Sequence, residues 1–211
     1  SPTEADICIF CHAPHKASIE GPLWNHQMPV VAYTPYSSST LKATVGQPTG
    51  ASKLCLSCHD GTVALGAVRN RPSPLPMKQG VAAMPAGRSR IGTDLSGHHP
   101  ISFVYDSALT LAQGELRDPV TLQREVRLDK AQQIQCTSCH DPHFNQYGKF
   151  LVKDNTASAL CLECHALNEW STSAHATSTA TWNGTGRNPW PYTSRTTVAA
   201  NGCENCHTSH G

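Results

Sequence analysis

The chain has 211 residues, of which 38% are hydrophobic, 6% aromatic and 15% charged, with 15 glycines and 15 prolines. So few apolar side chains bury too little surface to offset the conformational entropy lost on folding, which excludes an ordinary globular domain with a conventional core. The formal net charge is +1 and no basic cluster occurs, which excludes the usual nucleic-acid-binding surface. No apolar run reaches the length of a transmembrane helix.

One pattern, Cys-x-x-Cys-His, occurs five times and contains all ten cysteines. The five motifs are Cys8–His12, Cys55–His59, Cys136–His140, Cys161–His165 and Cys203–His207. A single Cys-x-x-Cys pair also fits a redox dithiol or half of a zinc site, and ten cysteines also fit a disulfide framework. None of these alternatives needs a histidine after the second cysteine five times. The pattern is typical of c-type haem attachment, so we predict five covalently attached haem c groups.

Each motif offers two thiols to the porphyrin vinyl groups and one histidine to the iron. The predicted thioether cysteines are Cys8, Cys11, Cys55, Cys58, Cys136, Cys139, Cys161, Cys164, Cys203 and Cys206. The predicted proximal ligands are His12, His59, His140, His165 and His207. Haem then supplies much of the core. We therefore predict a haem-dominated multihaem cytochrome c fold, mostly loop, with short helices around the CxxCH motifs and few short strands.

Residues 1–70 are predicted to form a first two-haem unit. Its first motif continues as Cys-His-Ala-Pro-His, ending at His15. Ser52 is a candidate N-cap for a helix from Leu54 to His59. The run 62–68 after the second motif is compatible with one further helical turn.

Residues 71–130 contain no motif, and we predict a haem-free connecting segment that donates a distal histidine. Its proline-rich start disfavours helix and central strand. A short extended segment is expected within residues 97–105. The partly alternating stretch Val120–Leu128 predicts a strand.

Residues 131–168 are predicted to form a second, tighter two-haem unit, with a short helix over 157–160 leading into the fourth motif. The third motif also continues as Cys-His-x-Pro-His, ending at His143. Both units share Cys-x-x-Cys-His-x-Pro-His followed by Leu-Cys-Leu-x-Cys-His, which indicates one structural unit used twice. Residues 169–211 are expected to form a single-haem C-terminal segment. All four segments are expected to share one continuous haem-cored domain.

The sixth ligand of each iron decides between electron transfer and substrate chemistry, because a second strong ligand closes the iron to substrates. Twelve histidines less the five in motifs leave seven, which is enough for bis-histidine ligation of five irons. The candidate distal ligands are His15, His26, His99, His143, His175 and His210. His98 is expected to be the unbound neighbour of His99. Methionine ligation by Met28, Met77 or Met84 is a less favoured alternative.

The stretches CHAPHKA, GPLWNH, SKLCLSCHDGTVALGAV, GHHPISFVYD and CTSCHDPHFNQYGKFL cover most of residues 8–165. They resemble multihaem c-type cytochromes with doubled CxxCH motifs, and are similar to the OmcE-like extracellular, nanowire-forming cytochromes of metal-respiring bacteria. The resemblance implies stacked haems along a polymer, in which one subunit can lend a histidine to a haem of the next. The chain departs from that tetrahaem pattern by its fifth motif and its Thr/Ser/Trp-rich tail.

We therefore predict a non-enzymatic pentahaem cytochrome that carries electrons through bis-histidine haems in extracellular or periplasmic respiration, as a subunit of a polymeric filament. Expected partners are other c-type cytochromes, a terminal acceptor such as a mineral or an electrode, and further copies of the chain with inter-subunit haem ligation. No nucleic acid and no membrane span are expected. Because c-type haem is attached outside the cytoplasm, we expect an exported protein, extracellular at the cell surface or periplasmic, whose export signal has been removed.

Three alternatives stay open. One is a multihaem reductase with one open haem, although no Cys-x-x-Cys-Lys occurs in the chain. The second is a discrete periplasmic electron shuttle, and the third is a haem-bearing docking subunit of a larger complex.

Overall fold

The computed structural model describes residues 1–16, 21 and 23–211. Parts of two stretches that carry the resemblance, at Ala17 and Pro22, lie outside the described residues. The described chain is mostly loop and turn, with a few short helices and a two-stranded sheet. This architecture confirms the predicted fold class.

Regular elements are short throughout. The α-helices are α1 (Gly50–His59), α2 (Ser107–Gln113), α3 (Cys136–Cys139), α4 (Ala174–Thr177) and α5 (Val198–Asn201). The 3₁₀ turns are Ile7–Phe10, Lys78–Gly80, Pro119–Thr121, Thr156–Ser158, Cys161–Glu163, Trp170–Thr172 and Gly202–Asn205. The sheet pairs β1 (Phe103–Val104) with β2 (Gln133–Ile134), which confirms the extended segment expected within 97–105.

The chain divides into two compact units. The first comprises Ser1–Ser39, Val45–Phe103 and His210–Gly211, and the second comprises Thr40–Thr44 and Val104–Ser209. The four-segment division made from the sequence stays a prediction. Among the described residues, no helix combines the length and the apolar character needed to cross a membrane.

In the first unit, α1 packs against a small apolar core. Leu56 from α1 joins Tyr33 and Leu95 in a buried cluster, which Val31, Ile91 and Ile101 extend. The helix begins at Gly50, earlier than predicted, with Thr49 in the N-cap position. The expected cap at Ser52 is wrong, because Ser52 lies inside the helix and is fully buried.

The helical turn expected at 62–68 is wrong, because α1 ends abruptly. Asp60 accepts hydrogen bonds from the backbone N–H and the hydroxyl of Thr62, at 2.7 and 2.9 Å. Gly61 then adopts a left-handed conformation, with φ +78°, which ends the helix. Further on, Gly66 meets the Leu75 carbonyl so closely that a Cβ at this position would lie 1.9 Å from the oxygen.

In the second unit, the strand predicted at Val120–Leu128 is wrong. The side chain of Asp118 caps a 3₁₀ turn by accepting from the Val120 N–H at 3.0 Å, and Pro119 begins that turn. The helix expected over 157–160 is instead the 3₁₀ turn Thr156–Ser158, followed by the turn that carries the fourth motif.

Candidate haem-attachment sites

All five motifs lie on a helical turn that closes in the same way. In four of them the backbone N–H of the histidine donates to the carbonyl of the first cysteine. These bonds are His12 to Cys8 at 2.7 Å, His140 to Cys136 and His165 to Cys161 at 3.0 Å, and His207 to Cys203 at 2.9 Å. The second motif lies in the last turns of α1. Residues i, i+3 and i+4 share one face of a helical turn, so each motif presents its two thiols and its imidazole together.

Burial raises the pKa of several motif thiols. It raises the pKa of Cys58 to about 12. The same cause raises the pKa of Cys139 to about 12 and that of Cys164 to about 11. A redox-active dithiol requires a low thiol pKa, so these pairs do not resemble one.

Within each unit, neighbouring motifs lie close together. In the first unit, the Cys11 and Cys58 thiols interact electrostatically. In the second unit, Cys139 interacts with Cys164 in the same way, and the Cys161 and Cys203 thiols also interact. This interaction lowers the pKa of the Cys203 thiol and raises that of the Cys161 thiol.

The turn before the fourth motif is tied directly to the fifth motif. The Ser158 hydroxyl accepts from the Cys203 N–H at 2.7 Å and donates to the Asn201 carbonyl at 3.3 Å. The Asn155 amide donates to the Glu204 carboxylate at 3.3 Å. Backbone and side-chain bonds therefore set the spacing between these two motifs.

The third and fourth motifs are joined through one short segment. The N–H of Val152 donates to the Cys139 carbonyl at 3.0 Å, and the next residue, Lys153, forms an ion pair with Glu163 inside the fourth motif. The fourth motif is held from another side by the Arg117 N–H, which donates to the Cys164 carbonyl at 2.7 Å.

Two proximal candidates have one ring nitrogen already bound to the backbone. The Nδ1 of His59 donates to the Ser89 carbonyl at 2.7 Å, and that of His140 donates to the Lys149 carbonyl at 2.9 Å. A histidine that binds a metal through Nε2 usually donates its Nδ1–H to a carbonyl or carboxylate in this way. These two imidazoles are therefore held in the tautomer and orientation that iron ligation needs.

Among the distal candidates, His26 has the most distinctive environment. Its side chain is 0% exposed, its Nδ1 donates to the Gln27 carbonyl at 3.0 Å, and its buried Nε2 has no hydrogen-bond partner. Burial lowers the pKa of His26, and the nearby backbone of Ala64 and Leu65 acts on this pKa in the opposite direction. Neither residue gives Nε2 a hydrogen bond of normal geometry. A buried, neutral imidazole with an unsatisfied Nε2 fits an iron ligand.

A largely apolar cavity of about 400 Å³ lies in the same part of the first unit. Its lining includes Gln27, Met28, Val31, Val63, Ala64 and Ala67. Such a lining fits a flat apolar group such as porphyrin, so the residues present fit the haem that the motifs imply.

The remaining distal candidates are exposed. The Nδ1 of His99 donates to the Pro100 carbonyl at 2.9 Å, and that of His143 lies 3.3 Å from the Asp141 carboxylate. His15 and His175 also lie at the surface. The exposed ring of His210 lies 5.7 Å from that of His98, at 46° to it.

The sequence predicts that His98 is the unbound neighbour of His99. In the structure, His98 is half-buried, and its enclosed Nδ1 has no hydrogen bond. Nothing in the chain next to His98 indicates this burial, because the contact with His210 joins residues far apart in sequence.

Among the described residues, no group of three or more His, Cys, Asp or Glu side chains is placed to hold a metal ion. Haem attachment requires no such group, because each iron takes one histidine from its own motif.

The family described as the doubled CXXCH motif matches residues 130–169. Residues 130–169 are thus similar to a doubled CXXCH module. This module contains the third and fourth motifs and supports a multihaem c-type cytochrome, with covalently bound haem c and a role in electron transfer. The first, second and fifth motifs lie outside the matched residues. No curated protein matches the chain.

Proposed function

We propose that the protein is a pentahaem c-type cytochrome that carries electrons along a chain of bis-histidine haems in extracellular or periplasmic respiration, without catalysing a reaction of its own. Haem iron supplies the one-electron chemistry. The proposal depends mainly on one observation: the same closed turn, with two thiols and an imidazole on one face, recurs at all five motifs. The contacts between neighbouring motifs support short distances from one redox group to the next.

Bis-histidine ligation is supported best at three distal positions. His26, His99 and His143 each have Nδ1 close to a carbonyl or carboxylate oxygen, which is the contact that usually orients a histidine for metal binding through Nε2. His15, His175 and His210 are the further candidates. A multihaem reductase would need one iron without a second protein ligand, and no observation favours this alternative.

We extend the proposal to self-association into a filament, with electrons passing between copies of the chain and on to other cytochromes or a terminal acceptor. The supporting observation is exposure. His12 and Cys8 of the first motif and His207 and Cys206 of the fifth are exposed, whereas the cysteines and histidines of the other motifs are partly buried. Contacts between two such different surfaces are heterologous, and they propagate as an open helix where the rotation between copies does not close a ring.

The haem assignment is tested on protein produced with haem-attachment machinery in an oxidising compartment. Intact mass under denaturing conditions is expected to give five covalent haems per chain. Electron paramagnetic resonance of the oxidised protein is expected to give low-spin signals only. Fewer than five haems, or a substantial high-spin population, would contradict the pentahaem bis-histidine assignment.

Self-association is tested separately by negative-stain electron microscopy of the protein sheared from cells. Uniform filaments that contain this chain are expected. Discrete particles under every growth condition would instead indicate a soluble electron shuttle.

A further inference from the structure

Four motifs have an acidic side chain within them or directly after their histidine, and these side chains differ in how their charge is compensated. Glu163 of the fourth motif forms an ion pair with Lys153, and Glu204 of the fifth forms one with Arg195. Asp60 directly follows His59 of the second motif and forms no ion pair with any described residue. Asp141 directly follows His140 of the third motif and lies 3.3 Å from Nδ1 of His143. Of these four carboxylates, Asp60 is therefore the one that has no ion-pair partner among the described residues.

Asp60 is 1% exposed, and every hydrogen bond it accepts comes from a neutral donor among the described residues. Tyr33 donates its hydroxyl at 2.6 Å to one oxygen. Thr62 donates its backbone N–H at 2.7 Å and its hydroxyl at 2.9 Å to the other. Neutral donors stabilise a carboxylate without cancelling its charge. The Asp60 carboxylate is thus buried inside the first unit without a paired cation among the described residues.

The carboxylate of Asp60 acts on the groups that would hold haem. It is among the charges that influence the Cys58 thiol and the imidazole of His26. The guanidinium of Arg90 packs against Gly61, but Arg90 is exposed, so water and salt screen its charge. A buried charge is screened much less.

We propose that Asp60 holds the haem attached at Cys55–His59 at a lower reduction potential than the haems of the fourth and fifth motifs. This inference depends on the proposed function. Ferric iron carries one more positive charge than ferrous iron, so a nearby buried anion stabilises the ferric form. Where Lys153 or Arg195 compensates the anion, this stabilisation is largely cancelled. Asp60 acts on the iron through its charge and contacts no substrate.

The consequence is a direction for electron flow. An electron that reaches the protein is held less strongly at the second motif than at the fourth or fifth. Each step exchanges one electron between a ferrous and a ferric haem, and no proton or bond change is required.

The test is a redox titration of the five-haem protein, followed by absorbance and by NMR of the haem methyl groups. In Asp60→Asn, one midpoint potential, the lowest, is expected to rise. The expected change is on the order of tenfold in the ferric-to-ferrous ratio at a fixed potential, which is about 59 mV for one electron. Asp94→Asn is the matched control, because it removes the same charge from an exposed site in the same unit and should shift no midpoint.

A second variant tests the same idea at another motif. Lys153→Gln leaves Glu163 uncompensated, so one midpoint is expected to fall, and the affected haem should differ from the one shifted by Asp60→Asn. This variant decides the question if Asp60→Asn does not fold.

Unchanged midpoints in a variant that retains five low-spin haems would overturn the inference, as would equal shifts in Asp60→Asn and Asp94→Asn. Absence of covalent haem from the unsubstituted protein would instead overturn the proposed function, so the two failures are distinguishable.

Discussion

The segments 8–59 and 136–165 begin with the same Cys-x-x-Cys-His-x-Pro-His stretch. The connections between their two motifs differ in length and in the residues that they bury. In the first, a long connection passes through buried Asn25 and His26 and supplies Tyr33 to an apolar core. Both segments turn back onto their first motif, since Trp24 pairs with His12 and Leu151 pairs with His140, but the second has only a short connection after this turn. The longer connection of the first segment thus places a buried histidine between its two motifs.

The two units also differ in what holds them together. The first contains an apolar cluster around Leu56. Around the fourth and fifth motifs, the second unit instead buries polar side chains, of which Ser158 and Asn201 are fully enclosed and hydrogen-bonded to each other. Apolar packing is therefore expected to dominate the stability of the first unit, and hydrogen bonding that of the second around these motifs.

The largest expected effect tests the contribution of apolar packing to the stability of the first unit. Leu56→Ala should lower the free energy of unfolding of the first unit by about 3 kcal/mol, because Leu56 is 2% exposed and its loss leaves a cavity. Hydrogen exchange of the haem-loaded protein, resolved by segment, measures the change. Leu111→Ala is the control, because Leu111 is 84% exposed and should change stability by less than about 0.5 kcal/mol. A cost spread equally over both units would contradict the assignment.

The next prediction compares a buried distal candidate with an exposed one. His26→Ala and His143→Ala should each convert one haem to a high-spin form, detected by electron paramagnetic resonance. Only His26→Ala should also cost about 2 kcal/mol of stability, since His26 is fully buried and His143 is exposed. An entirely low-spin spectrum for either variant would remove that histidine from the ligand set.

A smaller effect tests the contribution of hydrogen bonding to the stability of the second unit. Ser158→Ala leaves the buried Cys203 N–H without its acceptor, which should cost about 1–2 kcal/mol and loosen only the second unit. Segment-resolved hydrogen exchange measures this loss, and Ser171→Ala, at an exposed position, is the control. Unchanged protection around Cys203 would show that this hydrogen bond does not hold the two motifs together.

The smallest expected effect concerns the surface, which should matter little in either unit. Arg71→Gln breaks the ion pair with Glu4, whose partners lie 3.3 Å apart, and should cost under about 0.5 kcal/mol. Thermal unfolding at low and high salt checks this, because salt should abolish even that small difference. A loss above 1 kcal/mol would mean that this contact organises the start of the first unit.

Much of the site was predictable because its pattern is local. The spacing of each Cys-x-x-Cys-His motif is enough to place its three groups on one turn, and the low apolar content is enough to predict a loop-rich fold. The strand predicted at Val120–Leu128 failed because Asp118 and Pro119 start a tight turn that outweighs the alternation of side chains. The burial of His26 was not predictable, because its bridge to Val68 joins residues far apart in sequence.

The imidazoles are oriented chiefly by the main chain. His26, His59, His99 and His140 each direct Nδ1 to a backbone carbonyl, from Gln27, Ser89, Pro100 and Lys149 respectively. Substituting the side chain at such a partner leaves its carbonyl in place, so these positions are free to drift over evolutionary time while ligand geometry is retained. Distant relatives are then expected to share the spacing of Cys and His and the path of the backbone, with little else in common between their motifs.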